Sequence, residues 1–311
     1  MPIPPTALAF ATVWLGCVCW FCTAESVAAD NDPQVFWSAD HETGDLSQWH
    51  DGNAKYPRGG MFNTGGAAVE AATTTDVAHS GRYSAKMTIR GAAGKKLAVR
   101  LMRWGNKAWD EGDSKDLPDE AYYSAWFYFP RHYKPKVWWN IFQFKSTRDG
   151  ETGNQSQPMW TLNVDSDEGR MWLYLYTKFN TPRQHSRQIP SERVDLPVGR
   201  WVHIEAFYQH STTNDGRISI RQDGVLLYDV KGVRTAIGKR VTWGIGNYTD
   251  DIDPSTATIY VDDAVISLKR IGGPSNGSAS GSPSSAKIAS TASGPRGGWT
   301  RRGEPERSPR R

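Results

Sequence analysis

Gln143 and Lys145 stand two residues apart in the run WWNIFQFK, from Trp138 to Lys145. In an extended chain, side chains alternate between faces. Phe142 and Phe144 then point one way, while Ile141, Gln143 and Lys145 point the other. Two rings facing a core, with an amide and an ammonium opposite, describe a binding surface. A desolvated lysine can also act as a base, because burial favours its neutral amine. A second run behaves similarly: Trp172, Tyr174, Tyr176 and Lys178 share one side of the segment from Met171. Tyrosine and tryptophan rings stack on sugar rings and offer hydrogen bonds at their tips. A single such ring more often fills a core. With 14 tryptophans in the chain, some are expected to line a groove. His185 is positioned to enter such a surface from a loop, and histidine titrates near neutral pH.

These residues must be carried by strands. The stretch from Trp201 to Ser267 alternates apolar and polar residues in WVHIEAFYQ, GRISIRQDGVLLYDV and ATIYVDDAVIS. Asp223-Gly224 separates Ile218–Gln222 from Val225–Tyr228, a hairpin signal, because the turn needs positive φ. Earlier strand-like runs are 34–38, 83–90, 97–102, 122–129, 138–145, 159–164 and 171–177, divided by glycine and acidic turns. About a dozen strands without a long amphipathic helix predict an all-β sandwich of two antiparallel sheets in one domain, residues 32–270.

The flanks differ in composition. Residues 1–29 read as a signal peptide: Ala7 to Cys22 is apolar, too short to span a membrane, and Val27-Ala28-Ala29 offers a cleavage site. Cys17, Cys19 and Cys22 all fall there, so the exported chain would hold neither disulfide nor thiolate. Residues 271–311 are rich in Gly, Ser, Pro and Arg and are expected to be disordered. From Gly272 onward, seven basic residues face two acidic ones, a net of +5 within a chain of +4. The rest therefore sums to −1, and nothing in it supports nucleic-acid binding. The expectation is an exported monomer, extracellular or periplasmic, without a transmembrane anchor. Other chemistries fit poorly. Asp165, Asp167 and Glu168 follow a glycine-bounded turn rather than one strand face, and no Gly-x-Ser-x-Gly, phosphate loop or HExxH occurs.

The order of segments resembles the heparin lyase I type of polysaccharide lyase, and more distantly alginate and glucuronan lyases. The matching pieces are HETGDLSQW (41–49), HSGRYSAKMTIR (79–90), RLMRW (100–104), YYSAWFYFP (122–130), IFQFK (141–145), GRWVHIEAFYQ (199–209), WGIGNY (243–248) and YVDDAVIS (260–267). The resemblance implies a concanavalin A-like jelly roll that cleaves an acidic, uronate-containing polysaccharide by β-elimination. That chemistry needs a group to neutralise the sugar carboxylate, a base at C5 and an acid for the leaving oxygen. By resemblance, Gln143 and Arg100 hold the carboxylate and Tyr248 is the catalytic tyrosine. Where relatives read Gln-aromatic-His, this chain has Gln143-Phe144-Lys145, so the base is either Lys145, if desolvated, or His185 entering from a loop. Candidate substrate-binding residues around them are Asn247, Tyr174, Tyr176, Trp139, Arg103 and His185. A structural calcium is expected from Glu42 and Asp45 near the first strand and Asp262 and Asp263 near the last, since similar sandwiches place one there. The alternative function is a carbohydrate-binding, lectin-like domain without catalysis.

Overall fold

A computed structural model describes residues 34–49, 61–104, 116–151, 157–178, 185–188 and 193–272. The expected leader, its three cysteines and nearly all of the expected tail lie outside these residues. The strands in chain order begin β1 (Val35–Ala39), β2 (Met61–Thr64), β3 (Val69–Thr74), β4 (Ser84–Ile89), β5 (Ala93–Arg103) and β6 (Glu120–Tyr128). Next come β7 (Lys134–Pro135), β8 (Trp139–Thr147), β9 (Gln157–Asp167), β10 (Arg170–Lys178), β11 (His185–Gln188) and β12 (Asp195–Leu196). The last are β13 (Trp201–Gln209), β14 (Gly216–Gln222), β15 (Val225–Val233), β16 (Arg240–Asp253) and β17 (Ala257–Ser267). Among the described residues the only helix is a single 3-10 turn, Gly66–Ala68, and no helix is long and apolar enough to cross a membrane.

Every pairing is antiparallel. One sheet runs β15-β14-β13-β6-β17-β4-β3, with β1 on β17. The other runs β11-β10-β9-β8-β16-β5-β2, with β12 on β10 and β7 on β16. The result is an all-β, concanavalin A-like jelly roll. Alternation decides the layers. On β6, Ala121, Tyr123, Ala125 and Phe127 face the core, and on β13, Val202, Ile204, Ala206 and Tyr208 meet them. The hairpin at Asp223-Gly224 forms with both residues at positive φ, 47° and 80°.

Tryptophan mostly serves this core. Trp37, Trp49, Trp139, Trp160 and Trp243 are all buried in it, and Trp37, Trp49 and Trp243 pack ring to ring with centroids 4.7–6.0 Å apart. Among the described residues, the expected groove tryptophans therefore reduce to one, Trp138.

Candidate functional site

The outer face of the β16-containing sheet carries a groove of about 500 Å³. Its floor is built in cross-strand rows. Tyr248 on β16 stands opposite Asn140 on β8, which faces Asn163 on β9, which faces Tyr174 on β10. One row along, Gln143 lies between Gly244 and Thr161, and Thr161 faces Tyr176. Lys145 follows on β8, and Arg100 enters from β5 opposite Gly246. Gln143, Lys145, Arg100, Tyr248, Tyr174 and Tyr176 thus come together on one surface, drawn from four strands.

Two glycines open the floor. A Cβ at Gly244 would run into the Met102 sulfur, and one at Gly246 would lie 3.0 Å from Arg100 Cγ. With Gly246 bare, the Arg100 side chain crosses β16 and sets its guanidinium over the Tyr248 ring, 4.9 Å from the centroid. Trp138 closes the other side of Tyr248 edge-on, centroids 4.5 Å apart. Gln143 is 3% exposed, and among the described residues its amide nitrogen meets only a thioether, Met102 Sδ, at 3.6 Å. Lys145 Nζ is drawn down to about 8, first because burial disfavours its ammonium and then because the Arg100 cation repels it. The groove thus holds an amine that gives up its proton near neutral pH, a fixed cation, an amide donor and a phenol.

Period-two reading misplaces Ile141 and Trp139 and passes over Asn140, and one irregularity explains all three. Asn140 and Phe142 pair with Asn163 and Leu162 on β9, leaving Ile141 as an extra residue; the β8–β16 register shifts at the same place. This bulge puts Ile141 into the core beside Phe142 rather than with Gln143. It also makes Asn140 and Gln143 share a face despite their odd spacing. Trp139 is consequently core rather than substrate-binding, fully buried with its indole N–H donated to Asn247 Oδ1 at 2.9 Å. Asn247 is likewise internal: its Nδ2 donates to Met87 O and Ala257 O of the opposite sheet, at 3.1 and 2.9 Å. Arg103 is 4% exposed and donates to Trp49 O at 2.7 Å, tying the first loop down instead of lining the groove. Trp172, expected beside Tyr174 and Tyr176, is 3% exposed beneath the Arg193 guanidinium. His185 pairs with Lys178 through its backbone; its side chain lies outside what is described. Asn140, Asn163, Thr161 and Trp138 are groove residues that sequence reading missed. The alternation Thr161, Asn163, Asp165 was a visible signal for two of them.

The four carboxylates expected to hold calcium are committed elsewhere. Glu42 Oε1 accepts the backbone N–H groups of Arg82 and Tyr83, both at 2.8 Å. Asp45 Oδ1 accepts from Thr43, from Ser47 N–H and from the Ser47 hydroxyl. Asp262 Oδ2 takes His79 N–H at 2.8 Å, and Asp263 bonds the His79 ring and the Ser80 hydroxyl. Trp49 Nε1 donates to His41 Nε2 at 3.0 Å, which leaves the ring proton on Nδ1, donated to Asp262 Oδ1 at 3.2 Å. The HETGDLSQW segment is therefore braced to β17 by a Trp–His–Asp chain buried to 0% exposure at both His41 and Asp262. No group of three or more His, Cys, Asp or Glu side chains among the described residues is arranged to hold a metal. In this arrangement the four carboxylates serve as hydrogen-bond acceptors, and a chelator is expected to leave the melting temperature unchanged. A fall of several degrees with chelator, reversed by calcium, would refute that assignment.

The profile of a family described as polysaccharide lyase matches residues 41–265, which carry both the brace and the groove. Among solved structures the chain is similar to an endo-β-1,4-glucuronan lyase from the fungus Trichoderma reesei, at 16% identity and TM-score 0.49, covering 66% of this chain and 90% of that one. It is also similar to a marine alginate lyase from Aplysia kurodai, at 12% identity and TM-score 0.48, covering 76% of this chain and 100% of that one. A search of curated proteins finds no match.

Proposed function

The chain belongs to the polysaccharide lyase family, and on that premise we propose that it is an exported enzyme cleaving a uronate-containing polysaccharide by β-elimination. The observation that carries the reading is Lys145, an amine tuned to about 8 in a groove it shares with Arg100, Gln143 and Tyr248. The Gln143 amide and the Arg100 guanidinium bind the sugar carboxylate and draw charge away from C5, which acidifies the C5 proton. Neutral Lys145 takes that proton. The electron pair left at C5 forms the C4–C5 double bond as the C4–O bond breaks. Tyr248 gives its hydroxyl proton to the departing oxygen, and the guanidinium above its ring offers a counter-charge to the phenolate. The lysine proton and the phenolate then recombine through solvent. The products are one chain with a new hydroxyl end and one with an unsaturated uronate. The apolar leader supports export.

The test is direct. Alginate, glucuronan, heparin and pectate are each incubated with the protein while the ultraviolet absorbance of the unsaturated uronate is followed. A rising trace with at least one polymer is expected, and Tyr248→Phe should lower its rate by about a hundredfold or more. A flat trace with every polymer, alongside measurable binding, would leave the lectin-like reading in its place. Undiminished activity in Tyr248→Phe would remove the tyrosine from the mechanism.

A further inference from the structure

Trp138 owes its place at the groove to its neighbours. Trp139 is fully buried, so alternation turns Trp138 outward. The segment just before β8 is tied down on β16. Lys136 N–H donates to Asp251 O at 3.0 Å, Lys136 Nζ pairs with Asp251 Oδ1 at 3.3 Å, and the Thr249 hydroxyl donates to Trp138 O. Val137 is 63% exposed and lines the groove beside Trp138. Together they form a fixed apolar lip next to Tyr248.

The indole of this lip is open to a ligand. Trp138 is partly exposed, it meets Tyr248 at 80° rather than face to face, and no other ring among the described residues packs on it. Its indole N–H is neither buried nor hydrogen-bonded within the described residues. An aromatic ring with a free polar edge at a wet surface is suited to stacking on a sugar and donating to one of its oxygens.

Its position relative to the chemistry gives the groove a direction. Along β8, Gln143 and Lys145 lie on one side of Asn140, the cross-strand partner of Tyr248, and Trp138 lies on the other. In the elimination reading, the uronate held by Gln143 and Arg100 gives up its C5 proton to Lys145, and its C4 oxygen sits at Tyr248. The sugar that departs with that oxygen then continues past Tyr248, onto Trp138. Arg100 and Lys145, the two cations lining the groove among the described residues, are both assigned to the uronate itself. Lys136, next to the lip, is held by Asp251.

Resting on that reading, we propose that Trp138 and Val137 form the binding site of the departing sugar and recognise its ring face. Only the sugar that loses the C5 proton then has to be a uronate; its departing neighbour can be neutral.

The experiment uses the full chain and a uronan that it cleaves, with a minority of the carboxylates chemically reduced to primary alcohols. The departing sugar becomes the new reducing end, which borohydride labelling identifies. Neutral sugars are expected at those ends within about threefold of their share of the polymer. A stronger depletion would overturn the inference while leaving the lyase reading intact. On the unreduced polymer, Trp138→Ala should raise KM by about three- to tenfold with kcat little changed, and Trp138→Phe should recover most of the loss. An unchanged KM in Trp138→Ala, with or without a fall in kcat, would reduce the indole to a support for Tyr248 and overturn the inference. No product from any parent polymer would instead overturn the lyase reading, and the inference with it.

Discussion

Lys145→Met is expected to abolish elimination and, at the same time, to make the protein more stable. Loss of a positioned base typically lowers a rate by about 10²–10⁴-fold. Lys145→Arg should not restore it, because a guanidinium stays protonated at any workable pH. The working form of Lys145 is the neutral amine, so kcat/KM should climb with pH and level off above about 8. A rate that is flat through that window, or a Lys145→Arg enzyme of normal activity, would exclude the role.

The stability effect has the same origin. Burial lowers the amine from 10.5 to about 8, so the unfolded chain holds this proton more tightly than the folded one. Between those pH values the unfolded state binds more protons, and folding stability rises with pH. Below 8 the penalty of burying the ammonium is present in full, on the order of 3 kcal/mol. Lys145→Met removes it, and its melting temperature should exceed the parent's by several degrees at pH 7. The gap should close toward pH 10.5. A methionine variant less stable than the parent at pH 7 would show that the ammonium is better compensated than this. Exchange of stability for a strained, reactive group is common at catalytic sites.

Asn247→Leu is expected to be among the most damaging single changes in the molecule, though it touches nothing in the groove. Asn247 is fully buried and donates to Met87 O and Ala257 O of the opposite sheet while accepting from Trp139 Nε1. Leucine leaves two carbonyls and an indole N–H without partners, at about 1–3 kcal/mol each. Their sum, on the order of 3–9 kcal/mol, is comparable to the whole stability of many domains. Urea unfolding of the soluble variant should show a much lower midpoint with an unchanged slope. A midpoint near that of the parent would mean that the two sheets are not held here. Because Asn247 precedes Tyr248, lost activity in this variant would report on folding, not on substrate binding.

Much of the groove was legible because it follows alternation that local sequence controls. Tyr174 and Tyr176 share a face by spacing, as do Gln143 and Lys145, and the Asp223-Gly224 turn is fixed by which residues tolerate positive φ. The misplacements of Trp139 and Ile141 and the omission of Asn140 cluster at one point. The bulge at Ile141 is a property of how β8 registers against β9 and β16 together, and a single strand carries no information about its neighbours' register. The hydrogen bonds of the carboxylates were hidden from the sequence for a related reason. Acidic residues at the two ends of the chain look like ligands until their N–H partners are known, and His79, Ser80, Arg82 and Tyr83 reach them only through the fold.

The amino-acid sequence by itself determined that this chain is a two-sheet sandwich with an amide, an ammonium and tyrosines on one wet face, because period-two patterning is a local physical property. Tertiary structure alone decided that Arg100 lies over Tyr248, that Lys145 is desolvated enough to lose its proton near pH 8, and that Asn140 shares a row with Tyr248 and Asn163. Those depend on burial and on cross-strand neighbours far apart in the chain, and electrostatics follows the environment of a side chain rather than its identity.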